Sequence, residues 1–100
     1  LLIEDINEPL YRIDRLLTHL WSAGKLAQVA GVLVAHVAGV DNLALARLLK
    51  QTFAPLCIPV LAGWRSGHCD PNLTLPMGAL VRLDAGEQRV VLEQDVVFKA

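Results

Sequence analysis

Apolar residues recur along this chain with two different periods, and the change of period divides it into elements. Residues 1–4 begin Leu-Leu-Ile, a short apolar run that reads as a buried strand closing at Glu4. Asn7-Glu8-Pro9 reads as the entry to a helix. Proline fits the first helical position because its missing N–H costs nothing there. Leu10, Ile13, Leu16, Leu17, Leu20 and Trp21 then return at helical spacing, with Arg12, Asp14, Arg15, Thr18 and His19 mainly on the other side. Gly24 is the expected stop.

Residues 29–37, rich in Val and Ala, read as a second buried strand. Asp41 or Asn42 is placed to cap a second helix, whose buried stripe would be Leu45, Leu48, Leu49 and Phe53, with Pro55 ending it. Residues 58–61 form a third strand that runs out through Gly63 into a loop holding His68. From Gly78 the period becomes that of strands. Residues 79–84 and 88–93, joined by Ala85-Gly86-Glu87, predict a hairpin. Residues 96–100 read as an added edge strand or a fraying end. The order β-α-β-α-β followed by β-β predicts an α/β domain with one mixed sheet, parallel first and antiparallel at its end.

Composition adds one point. At 100 residues the chain is a single domain at most, yet 54% of it is hydrophobic and only 19% charged. That excess of apolar surface predicts faces covered by another domain or subunit. A formal charge of −1 supplies no basic patch for nucleic acid. No apolar run is long enough to span a bilayer, and no signal-peptide pattern is visible. The opening Leu-Leu-Ile-Glu, without Met, is expected of a segment taken from within a larger protein. Cys57 and Cys69 are not at metal-ligand spacing, and either one disulfide or two reduced thiols is compatible with them.

Two polar groups fall where strands end. Glu4 closes the first, and His68 lies beyond the third. Parallel α/β sheets gather their sites at the carboxyl ends of strands, so these residues are expected to meet. A carboxylate that accepts from one imidazole nitrogen fixes the tautomer and leaves the other nitrogen as a base for a hydroxyl. Asp5, next to Glu4, is expected to point elsewhere as a structural hydrogen-bond acceptor, and Glu8 to favour a helix N-terminus. Tyr11 is open to either a pocket or a structural role, and Asp14 and Arg15 read as bracing. His19 reads as a solvated helix residue and His36 as a strand-end residue. Cys69 as a thiol nucleophile, or as a metal ligand with His68 and Asp70, is a minor reading, because neighbours on an extended segment point to opposite sides and rarely share one target. Ser22 ends a helix, and Ser66, in Gly-Trp-Arg-Ser-Gly, is not in a nucleophile elbow.

The stretch "LLIEDINEPLYRIDRLLTHLWSAG" resembles the Glu-containing segment of the LD-carboxypeptidases, serine peptidases also called muramoyltetrapeptide carboxypeptidases. The likeness runs through Glu4-Asp5, Glu8-Pro9, Tyr11 and Ile13-Asp14-Arg15. "GHCDPNLTLPMG" resembles the family's Gly-His loop with its following Asn-Leu-Thr-Leu-Pro, and "PLCIPVLAG" the strand leading into it. The resemblance implies a mixed-sheet swivelling β/β/α domain, residues 1–100 being part of the C-terminal domain. It implies a Ser-His-Glu triad with Glu4 as acid and His68 as base. Serine and oxyanion hole would lie in an N-terminal domain absent from this chain, so the fragment alone is expected to be inactive.

The implied reaction releases terminal D-alanine from murein tetrapeptides in peptidoglycan recycling, with no metal or organic cofactor. The implied setting is a cytoplasmic homodimer, with neither membrane nor nucleic acid as partner. Two rivals remain: the family's microcin self-immunity branch, from which the Tyr-x-Ile-Asp-Arg form leans away, and a non-catalytic interaction domain on the same scaffold.

Overall fold

The computed structural model describes residues 1–97. Three parallel strands, β1 (Leu2–Ile6), β2 (Val32–Ala38) and β3 (Val60–Ala62), form one sheet in the order β1-β2-β3. Parallel neighbours need crossover connections. Two helices supply them: α1 (Leu10–Ser22) between β1 and β2, and α2 (Asn42–Phe53) between β2 and β3. Both helices share one core with the middle strand. Ile13 and Leu17 of α1 meet Leu45, Leu48, Leu49 and Phe53 of α2 over Val32, Val34 and Val37. Fully burying a side chain of this kind contributes about 1.5–3 kcal/mol, so this layer dominates the stability of the domain.

The helix ends follow local chemistry. Pro9 is the N-cap of α1 and not its first helical residue, with an extended ψ of 153° and no side-chain cap bond. After Ala23, Gly24 takes φ +73° and Lys25 N–H donates to Leu20 O, closing the helix with a left-handed residue. Asp41 caps α2 by accepting from Ala44 N–H at 2.8 Å. Ala54–Leu56, which includes Pro55, forms a 3-10 turn beyond Phe53. The four buried positions read for α2 are all buried. On α1 the stripe is narrower than its spacing predicts: Leu16 and Trp21 are about half exposed. They lie at the margins of the apolar arc, where the three-stranded sheet gives no cover.

The single mixed sheet predicted from the strand order is corrected by the structure. β4 (Val81–Asp84) and β5 (Arg89–Leu92) form a separate two-stranded antiparallel sheet. A period-2 pattern specifies strands but not which edge they join. These two satisfy each other, and the long segment from Gly63 to Leu80 carries them away from the edge of β3. The hairpin instead comes close to the residue before β2, where a β-carbon on Gly31 would meet Leu83 Cδ2 at 3.1 Å. An apolar cleft of 580 Å³, lined by Leu33, Pro59, Met77, Leu83 and Leu92 among others, lies between the two sheets. Val96 and Val97 belong to no strand, and the remainder of the edge strand or frayed end read at 96–100 lies outside the described residues. No helix among the described residues is long and apolar enough to cross a membrane.

Candidate active site

Glu4 is the residue of β1 at which pairing with β2 slips. Ile3 pairs with Val34 and Asp5 with Val37, so Ala35 and His36 together stand against Glu4 alone. Such bulges bend a strand and re-aim its side chains. The extra residue is used at once: His36 N–H donates to Ser66 O at 3.0 Å, tying β2 to the root of the His68 loop. Trp64 N–H to Val34 O at 3.1 Å extends the same attachment. The chain beyond β3 therefore continues beside β2 until it stands over Glu4.

That loop is closed by its own polar groups. Leu73 N–H donates to Arg65 O at 2.7 Å, and the Ser66 hydroxyl donates to Leu73 O, forming the neck. Across the loop, Gly67 N–H donates to Asn72 Oδ1 at 2.8 Å, and Arg65 Nη2 donates to Asp70 O at 2.8 Å. The tip between them presents His68.

Glu4 and His68 meet there, with Nδ1 to Oε2 at 2.7 Å. A carboxylate only accepts, so this contact holds the proton of a neutral imidazole on Nδ1 and leaves the Nε2 lone pair outward. Nε2 makes no hydrogen bond with any described residue, and the His68 side chain is 55% exposed. Exposed contacts of this type contribute at most about 1 kcal/mol to folding, so the fold gains little from the pair. Its consequence is chemical: an oriented, reachable base.

The remaining candidates separate cleanly. Asp5 Oδ1 accepts from Ile6 N–H at 2.7 Å, a local backbone role. Glu8 pairs with Arg12 at 3.4 Å, one turn along. Asp14 and Arg15 are exposed on α1 and form no ion pair with a described residue, so the bracing read for them is not seen. Tyr11 is 62% exposed and His19 also faces solvent. His36 is exposed within β2, at the bulge. Ser66 is 7% exposed with its hydroxyl turned inward, and Ser22 is the last residue of α1. Cys57 and Cys69 are free thiols, and Cys69 Sγ lies 3.3 Å from Pro71 O. The bulge opposite Glu4 and the Arg65–Leu73 neck have no signature in the sequence. The role of Asn72 has one, since Asn readily bonds nearby backbone in turns.

Fold and site together define an α/β domain that presents a carboxylate-held imidazole near the carboxyl edge of a parallel sheet. The chain belongs to the family of the LD-carboxypeptidase C-terminal domain, whose model matches residues 1–83. Among curated relatives, the "Probable murein peptide carboxypeptidase" of Bacillus subtilis is 36% identical over 96% of this chain and 32% of its own length. A Streptomyces coelicolor protein, provisionally named a carboxypeptidase, is 38% identical over 94% of this chain and 31% of its own. A similarly named Synechocystis protein is 37% identical over 84% and 30%. The chain thus spans about a third of the length of these relatives. No solved structure matches it.

Proposed function

We propose that this chain supplies the acid and base of a Ser-His-Glu triad in a murein peptide LD-carboxypeptidase, on a domain of the swivelling β/β/α kind. The observation that carries the reading is the 2.7 Å contact between Glu4 Oε2 and His68 Nδ1, with Nε2 outward. The names of the relatives supply the substrate class.

In this reading a serine on a separate N-terminal domain attacks the amide that joins the L-centre of a diamino acid to terminal D-alanine. His68 Nε2 accepts the hydroxyl proton as the serine oxygen bonds to the carbonyl carbon. It returns that proton to the departing D-alanine nitrogen as the C–N bond breaks. Water then enters by the same route and releases the shortened peptide from the acyl-serine. Glu4 keeps the proton on Nδ1 and stabilises the imidazolium formed in each step. Backbone donors of the other domain would hold the oxyanion. The protein would act as a cytoplasmic homodimer in peptidoglycan recycling, without metal or organic cofactor.

The test is D-alanine release from murein tetrapeptide by the full-length protein carrying this domain. His68→Ala should reduce turnover to the background left by binding and oxyanion stabilisation. A His68→Ala protein that works at the normal rate sinks the proposal.

A further inference from the structure

His68 follows a glycine, and that creates a mechanical problem. Gly67 has no side chain to anchor it and adopts φ +107°, a region where glycine moves freely. Yet Gly67 must lie flat against Glu4, since a β-carbon there would fall 2.5 Å from Glu4 Cγ. Some other group has to fix the backbone just before the imidazole. On its amide side Gly67 bonds the side chain of Asn72, with N–H to Oδ1 at 2.8 Å. The next residue, Leu73, is bound on both polar sides, its N–H to Arg65 O and its carbonyl to the Ser66 hydroxyl. Asn72 therefore hangs from the closed neck of the loop, and Ser66 O is itself held by His36 N–H of β2. A continuous set of hydrogen bonds runs from the sheet to Gly67 and ends one residue before His68.

We infer that Asn72 is a positioning residue: its side-chain oxygen clamps the Gly67 amide and so holds His68 Nδ1 on Glu4. The inference rests on the proposed role of the Glu4–His68 pair. Asn72 is exposed, so water can replace it as an acceptor for Gly67 N–H, and folding loses little when it is removed. Water does not replace the tether. Without it the Gly67-His68 segment samples orientations in which Nε2 is misaimed, and a displacement near 1 Å costs about 10²-fold in rate.

The experiment compares Asn72→Leu, which keeps the shape and loses the acceptor, with Asn72→Asp, which keeps an acceptor. Both are made in the full-length protein. Steady-state D-alanine release is measured together with the low-field proton resonance of His68 Nδ1. Asn72→Leu should lower kcat about 10²-fold with KM nearly unchanged. It should also broaden or abolish the resonance, while the thermal midpoint stays close to wild type. Asn72→Asp should restore most of kcat and the resonance. Normal turnover by Asn72→Leu overturns the inference, as does equal damage by the two variants. A fully active Glu4→Gln protein removes the role of the pair and this inference with it. A crippled Glu4→Gln protein beside an unimpaired Asn72→Leu protein overturns the inference alone.

Discussion

Gly67 and Glu4 are packed so closely that any side chain at position 67 displaces Glu4: an added β-carbon would lie 2.5 Å from Glu4 Cγ, 2.7 Å from Oε2 and 2.9 Å from Cδ. The three atoms span much of the side chain, so rotating the carboxylate tip does not relieve the contact. Gly67→Ala is expected to force Glu4 away from His68 and to strain a backbone at φ +107°. Activity of the full-length protein should fall by at least about 10²-fold. Stability should fall by about 1–3 kcal/mol for the strained conformation. Turnover and urea midpoints measured on the same preparation check both. Wild-type turnover in the alanine variant would mean that the reaction does not need the pair in this geometry.

Glu4 itself tests the tautomer argument. Glutamine keeps the length of the side chain but offers an amide that can donate to Nδ1, which turns the proton-bearing nitrogen toward the substrate. Glu4→Gln is therefore expected to lose on the order of 10⁴-fold in kcat, as other triads do when the acid becomes an amide. Glu4→Asp keeps the charge but withdraws it by one methylene and should lose less. An order in which Asp is the more damaging of the two would indicate that Glu4 serves packing and not proton placement.

Ser66 invites a rival assignment because it lies two residues before His68. Its hydroxyl proton is engaged by Leu73 O and it is 7% exposed, so a base has no free proton to take from it and a substrate has little access. Ser66→Ala removes the bond to Leu73 O, at a cost of about 0.5–1.5 kcal/mol in stability because Leu73 is exposed to water. Per folded molecule, kcat should stay within about tenfold, far from the loss a nucleophile would show. Loss of acyl-enzyme formation in this variant would instead make Ser66 the nucleophile.

How much of this was legible in the sequence varies with the range of the interaction. The stripe at Leu45, Leu48, Leu49 and Phe53 and the Asp41 cap could be read directly, because helix periodicity and capping act over a few residues. The meeting of Glu4 and His68 was also foreseeable, since parallel strands deliver their ends to one edge. The limits of β1 were not: it continues to Ile6, past the Glu4 that reads as its end. Nor was the slip that sets Ala35 and His36 against Glu4, because register depends on both strands together. Alternation shows the hairpin but not its sheet, for pairing partners are not written in it, and β4 and β5 stand apart from the parallel strands. The turn reads as Ala85-Gly86-Glu87, yet the positive φ falls on Gln88, with Glu87 N–H bound to Asp84 Oδ1 at 3.0 Å.

The core makes its own prediction, separate from the chemistry. Phe53 ends α2 at 1% exposure and belongs to the same cluster as Ile13, Val34 and Leu49. Truncation there removes the largest fully buried side chain among the described residues and leaves a space that two helices and a sheet cannot all close. Phe53→Ala should cost about 3–5 kcal/mol. Leu43 is in the same helix but 63% exposed, so Leu43→Ala should lie within about 0.5 kcal/mol of wild type. Asp41→Ala, which deletes the 2.8 Å cap to Ala44 N–H, should fall between them at about 1 kcal/mol. Urea denaturation of the full-length protein, followed by the transition of this domain, gives the three values. None of these residues is a polar partner of Glu4 or His68, so kcat per folded molecule should not change. A Phe53→Ala protein no less stable than Leu43→Ala would show that the two helices do not share the core described.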